Sequence, residues 1–522
     1  MLWRSPQGPR GGLVLCEVFV IVAAWPAAPG WPAAALSTAC ASQVESASAV
    51  RDVGSRLELF ADAWLIERMS NASLKMHSPV RQEVVFDFNA PWEGGLSAYV
   101  TIMKDEDRYR MYYRGGGDLS REYTCVAESK DGIDWVRPSL GLFEFNGSKD
   151  NNIIWTGEKK AYWESHNFSP FKDANPDAPP SERYKAVTLG RQTVDGQRRN
   201  VLLAFVSPDG IRWKRLQDEP IITDGSFDSH NTAFWDSIQQ RYVCYFRQSR
   251  DGKRSIRRSF SGDFVHWSQA EWLDFGDTPL EHFYTNGIVP YFRAPHIYLG
   301  FPMRFVPDRT SVGLEGRKTD GLSDAVFMSS RDGIAWSRVF MEAFIRPGLS
   351  QENWGGAHGN NTPAWGIIQT SDNEISLYVS ENYGDYPADA NKTPRLRRAV
   401  IRVDGFVSVN AGYSGGEMLT KPLTFKGAAL VMNYSTSAVG SIKVEVQDEH
   451  GVPITGFGLA EATEIYGDEI ERAVSWKQGA DLSRLAGRVI RLRFVMKDAD
   501  LYSIRILLAP IHNARGSTSS PS

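Results

Sequence analysis

The chain has 522 residues, more than one hydrophobic core usually organises, so two domains are the starting expectation. Its 42% hydrophobic and 23% charged residues are the balance of a soluble globular protein. The net charge of −4, with basic residues scattered, argues against the concentrated cationic surface that a nucleic-acid partner needs.

The N-terminal residues 1–41 read as an export signal. Arg4 and Arg10 supply a positive start, residues 13–25 an apolar run broken only by Glu17, and Ala39-Cys40-Ala41 a small-residue cleavage site. Pro26, Pro29 and Pro32 interrupt any continuous spanning helix. A secreted or periplasmic protein is expected, with no membrane association once the signal is removed. Of the four cysteines only Cys125 and Cys244 then remain, which make no disulfide framework. No Cys/His spacing resembles a zinc site, so neither metal nor cofactor is expected.

From residue 57 onward a phrase recurs. Asp131-Gly132 is followed by Trp135, Asp209-Gly210 by Trp213 and Asp332-Gly333 by Trp336; Asp263-Phe264 with Trp267 is a degenerate copy, and Asp404-Gly405-Phe406 an echo. Asp-Gly is turn chemistry, because glycine accepts positive φ and aspartate bonds its own backbone. Each phrase is expected to turn between the two outer strands of a sheet, the Trp packing between neighbouring sheets. A second phrase precedes each turn: Trp163-Glu164-Ser-His166-Asn167, Phe227-Asp228-Ser-His230-Asn231, Glu281 through Asn286, and His358 through Asn361, with a divergent version from Trp92-Glu93 to Tyr99. A strand ending in a charged residue follows each, at Arg114, Arg191, Arg247, Arg304 and Glu381. Five copies predict an all-β fold: a five-bladed β-propeller over residues 57–408, with residues 57–67 closing the ring. Strands at 428–434, 442–447 and 489–496 without such turns predict a small β-sandwich over 412–510, and 511–522 reads as a disordered tail.

Propeller topology brings the start of each innermost strand and the end of each second strand to one mouth of the axis. Glu93, Glu164, Asp228 and Glu281 meet there from different blades, and glycoside cleavage needs such an arrangement of one protonated acid and one carboxylate. They are the predicted catalytic residues, Asp228 and Glu164 foremost, as equivalents in their repeats. His166, His230, Asn231, Arg114, Arg247 and Arg304 are the predicted substrate-binding residues, the arginines suiting a uronate or sulfate. For the turn aspartates a structural role is expected. The repeated asparagines suit backbone bonding as well as sugar hydroxyls, and the arginines suit pairing with the acids.

The five blades with their sandwich, and the phrase Phe60-Ala-Asp62-Ala-Trp64-Leu-Ile-Glu67, resemble the arabinanase, levansucrase and invertase superfamily of glycoside hydrolases, and family-32-like members above all. The superfamily takes one acid from each of the first three blades as nucleophile or base, transition-state stabiliser and general acid. The resemblance implies those roles for Glu93, Glu164 and Asp228. The invertase phrases Asn-Asp-Pro-Asn-Gly and Glu-Cys-Pro are absent, so fructan specificity is not carried over. The expected function is a secreted glycoside hydrolase acting on a poly- or oligosaccharide. The alternative is a carbohydrate-binding propeller without catalysis, separable by glycan affinity with no turnover.

Overall fold

The structure is a computed structural model that describes residues 50–116, 121–157, 162–310, 320–355, 360–383 and 393–509. The expected export signal, His358 and the expected C-terminal tail lie outside those residues. The described part is all-β, and none of its helices is long and apolar enough to cross a membrane.

Five antiparallel meanders follow one another along the chain. The first runs outward from Ala98–Asp105 through Arg108–Gly115 and Tyr123–Ser129 to Trp135–Val136 and Ile153–Trp155. The second comprises Ser169–Lys172, Tyr184–Val194, Gln197–Ser207 and Lys214–Arg215. The third comprises Thr232–Asp236, Arg241–Arg250, Lys253–Ser261 and Glu271–Trp272. The fourth comprises Ile288–Tyr291, Ala294–Gly300, Met328–Ser330 and Trp336–Ser337, and beside it stands a three-stranded sheet of His282–Phe283, Met303–Thr310 and Asp320–Ala325. The fifth comprises Ile368–Gln369, Glu374–Glu381, Arg395–Arg402 and, from far upstream, Val80–Asp87.

Hydrogen bonds link each sheet to the next. Lys172 Nζ reaches Asp105 (2.7 Å), Asn167 Nδ2 the carbonyl of Phe227 (2.6 Å), Asn286 Nδ2 that of His230 (2.9 Å) and Trp365 Nε1 that of Ile288 (2.8 Å). Backbone bonds from Ile102 N to Trp365 O and from Trp365 N to Val100 O, both 2.8 Å, return from the fifth sheet to the first.

The Asp-Gly phrases form the turns between third and fourth strands. Asp131 Oδ1 accepts the backbone N–H of Ile133 (2.8 Å) and Asp134 (2.9 Å), Gly132 takes φ 78°, and Trp135 Nε1 donates to the Gly132 carbonyl (3.1 Å). The copies at Asp209 and Asp332 repeat this geometry. In the degenerate copy Phe264 takes the left-handed φ of 67°.

The N-terminal strands depart from expectation. Residues 57–67 do not close the ring: Leu57–Leu59 pairs with Ile490–Leu507 and Ile66–Ser70 with Gly416–Thr420. Ala72–Met76 likewise pairs with Val407–Ala411, so both chain ends build the ten-stranded C-terminal sheet. Its two long strands, Ala429–Asp448 and Ile490–Leu507, pair over most of their length with register shifts at Asn433/Tyr434 and Thr436/Ser441. The physical reason is burial. Phe60, Leu65 and Ile66 carry apolar side chains into the same core as Leu430, Phe494 and Trp476, whereas Val80–Asp87 is a half-exposed outer strand. The echo at Asp404 also differs: Asp404 is buried, accepts from Tyr291 Oη (2.5 Å), and leads into the C-terminal sheet instead of a fourth strand.

Candidate active site

The four predicted acids have different surroundings. Glu93 has no exposed side-chain surface; Arg137 grips it bidentately (Nε–Oε1 2.9 Å, Nη2–Oε2 2.8 Å) while Tyr113 Oη donates to Oε1 (2.5 Å). Glu164, 1% exposed, pairs with Arg215 and accepts from Trp155 Nε1 (3.3 Å). Glu281 lies between Arg304 (2.8 Å) and Arg338 (2.6 Å). Glu381, which ends the second strand of the fifth sheet where the other copies carry arginine, is buried among Arg81, Arg395 (2.9 Å) and Arg397 (2.8 Å). A carboxylate that works on a sugar must reach it, and Glu93 and Glu164 are sealed under arginine, so their environment is that of structural ion pairs. Three of the arginines come from one feature of the turn phrase: Trp135-Val-Arg137, Trp213-Lys-Arg215 and Trp336-Ser-Arg338 place an arginine on the fourth strand or one residue past it, against Glu93, Glu164 and Glu281.

The third sheet breaks the pattern. There the phrase reads Trp267-Ser-Gln269, and the acid of that sheet, Asp228, has a side chain 52% exposed. Its Oδ1 lies 2.9 Å from His166 Nε2, and His166 Nδ1 lies 2.7 Å from Oε1 of buried Glu122. The hydrogen bond from His166 outweighs partial desolvation and, with the fields of Arg247 and Arg114, draws the Asp228 carboxyl down to about 2.

Around this chain of groups stand aromatic rings. Tyr99 packs against His166 and His230, each 5.6 Å between centroids, and the Arg114 guanidinium stacks on Tyr99 at 4.9 Å. Tyr99 sits at a bulge where the pairing of the first two strands slips between Ala98 and Thr101, and it holds φ at 51°. A bulky residue in that region is uncommon and strained, and such strain clusters at functional sites. Arg114 donates to Tyr383 Oη (2.9 Å) and to the Leu96 carbonyl (2.8 Å), and pairs with Glu122 at 3.5 Å. Arg247 and Arg254 both approach the ring of Tyr284.

Several predicted binding residues serve the framework instead. His230 is wholly buried, which pushes its imidazole down to about 3 and keeps it neutral; Nε2 meets Thr101 Oγ1 at 3.2 Å. Asn231 is buried and donates to the carbonyls of Phe227 (2.8 Å) and Ser229 (3.1 Å). Arg304 is committed to Asp324 (2.6 Å) and Glu281. Of the predicted residues, Asp228, His166, Arg114 and Arg247 come together. Glu122, Tyr99, Tyr284, Tyr383 and Arg254 join them without having been singled out in the sequence. The signal available for Asp228 was the missing arginine after Trp267; Tyr99 and Tyr284 fall inside copies of the second phrase, and no repeat marks Glu122 or Tyr383.

No family model and no curated protein matches the chain. Among solved structures it is similar to a family-32 β-fructofuranosidase of Bombyx mori, at 11% identity and TM-score 0.40 over 84% of this chain and 95% of that one. It is also similar to an N-acetylgalactosamine deacetylase of F. plautii in complex with blood group B trisaccharide (13% identity, TM-score 0.42, 64% and 96% covered). A thermostable family-43 glycoside hydrolase gives 14% identity and TM-score 0.39 over 62% and 96%. These are likenesses at low identity, and the chemistry of the site comes from this chain's own residues.

Proposed function

We propose that the chain is an exported, five-bladed propeller glycoside hydrolase that cleaves a poly- or oligosaccharide with Asp228 as its ionised carboxylate. The observation that carries this reading is Asp228 itself: an acid of the repeat without the arginine cover of its equivalents, exposed, and bonded to His166, which Glu122 holds from behind. A carboxyl drawn down to about 2 is ionised wherever enzymes ordinarily work, which suits a nucleophile or a base and not a proton donor. The proton-handling partner is His166, whose orientation Glu122 fixes; general acid–base groups contribute about 10²–10⁴ in rate. Buried Tyr99 and Tyr284 brace His166 and the arginines from behind, and half-buried Tyr383 offers a ring to a sugar.

The test is a screen of plant and algal polysaccharides for released reducing ends, followed by Asp228→Asn on the substrate found. Turnover should fall by about 10²-fold or more while the melting temperature holds. Wild-type turnover in Asp228→Asn would sink the assignment. A second reading, carbohydrate binding without turnover, is favoured by the closure of Glu164, the expected partner acid, under Arg215. It predicts glycan affinity with no product, unaltered by Asp228→Asn.

A further inference from the structure

The arginines of the sheets fall into two groups. Arg137, Arg215, Arg338, Arg81, Arg395, Arg397 and Arg304 each hold a carboxylate, and Arg114 is taken up by Glu122 and Tyr383. Arg191 and Arg198, both over the ring of Trp163, and Arg247 and Arg254 are not committed in this way, and of the two pairs it is Arg247 and Arg254 whose fields reach Asp228. Neither forms an ion pair with a described residue, and Arg247 Nη1 is buried without a hydrogen-bond partner. They stand on adjacent strands of the third sheet, where Arg247 pairs with Ile256 and Ser249 with Arg254. Cross-strand partners share a face and side chains alternate, so the two guanidiniums project to the same side. Both lie over the ring of Tyr284, at 4.7 and 5.4 Å.

We propose that Arg247 and Arg254 bind an anionic substituent of the carbohydrate, a uronate carboxylate or a sulfate ester, so that the substrate is an acidic saccharide. This rests on the reading of the site as a carbohydrate site and deepens it. Two like charges on neighbouring positions of one face repel. Burial, and then the field of Arg247, push the Arg254 guanidinium below its ordinary value. The field of Asp228 relieves this only in part, because its carboxylate is bonded to His166 and is not in ion-pair contact with either arginine. An anion between them would relieve it: a planar guanidinium matches carboxylate and sulfate oxygens in a fork, and two of them flank one anionic group. The Tyr284 ring beneath removes competing water from one side. Neutral hydroxyls would leave the repulsion between the two guanidiniums in place, so the pair selects against neutral sugars.

The test is calorimetric titration of the full-length protein with oligogalacturonate, oligoalginate and a sulfated carrageenan oligosaccharide, against maltotriose and xylotriose. Asp228→Asn, Arg247→Gln and Arg254→Gln are titrated in parallel. At least one acidic probe should bind and the neutral ones should not. The acidic class that binds distinguishes carboxylate from sulfate. Affinity should fall by about tenfold to a hundredfold in each arginine variant, the loss expected for a charge-assisted hydrogen bond. The melting temperature of both variants should hold or rise, since a repulsion is removed. Asp228→Asn should retain the affinity, so loss of turnover with binding intact bears on the catalytic reading alone. Neutral probes binding as tightly as acidic ones, no acidic probe binding at all, or unchanged affinity in both arginine variants would each overturn the proposal.

Discussion

Replacing Glu164 by Gln separates a structural acid from a catalytic one. The Glu164 carboxylate is 1% exposed and pairs with Arg215, itself 18% exposed, with Trp155 Nε1 at 3.3 Å. Neutralising it takes from Arg215 its most closely held carboxylate and keeps the weaker pair with Asp218, 3.7 Å away and almost fully in solvent. Breaking a buried ion pair from one side costs about 3–5 kcal/mol, and the partial exposure of Arg215 puts this case toward the lower end. At an unfolding entropy of about 2.1 cal/mol/K per residue, a propeller of about 350 residues loses about 1.4 °C per kcal/mol, so the melting temperature should fall by about 4–5 °C. Differential scanning calorimetry at one fixed scan rate measures it, since large chains often unfold irreversibly. The double variant Glu164→Gln/Arg215→Met should recover part of the loss, because the guanidinium that lost its carboxylate is then removed as well. Turnover per folded molecule should stay near wild type. A wild-type melting temperature together with a hundredfold loss of turnover would refute the reasoning and return Glu164 to the substrate.

Other outcomes follow from the same geometry. His166→Ala removes the bond that holds the Asp228 carboxyl down at about 2, so its midpoint should rise toward 3.8, followed by carbon-13 NMR of labelled aspartate. In sign, the depressed carboxyl stabilises the wild-type fold above the unfolded value, and that contribution is lost as pH falls toward 2; in the variant it should be absent at every pH, which acid-unfolding curves would register. Gly210→Ala would put a Cβ 2.5 Å from Arg110 Nη1 and 2.7 Å from Tyr112 Oη at a φ of 75°, so it should destabilise by about 1–3 kcal/mol in urea melts. Asn286→Ala would strip partners from the buried Ile288 N–H and the His230 carbonyl, at about 1–3 kcal/mol, with little effect on sugar affinity.

The repeated turns were legible because their chemistry is local. Asp131, Gly132 and Trp135 satisfy one another within five residues, so their spacing announces the outer strands. The ring-closing strand was not legible. Val80–Asp87 takes its place by pairing with Arg395–Arg402 some three hundred residues away, and its half-exposed pattern resembles any edge strand. The more apolar residues 57–67 drew the expectation, yet their apolar content is what takes them into the C-terminal core. Tyr99 was hidden for another reason: its position depends on a bulge and a left-handed φ that no composition rule marks.

The acids show how a repeat both reveals and disguises a site. Glu164 and Asp228 stand at one position of the repeat, three residues before Asn167 and Asn231, so equivalence suggests a pair with shared chemistry. Equivalence of backbone position is a statement about scaffold, and in a scaffold the economical use of an acid at this position is to pin the end of the sheet through an arginine. Glu93 with Arg137, Glu164 with Arg215 and Glu281 with Arg338 do this. The position available for chemistry is therefore the one where the repeat fails. Gln269 stands where the arginine would be, Asp228 is left exposed, and His166 of the preceding sheet occupies it instead. The same logic picks out Arg247 and Arg254, cations without an ion pair among the described residues whose fields reach Asp228. In a repeat protein of this kind, function is to be sought in the unsatisfied member of each satisfied series.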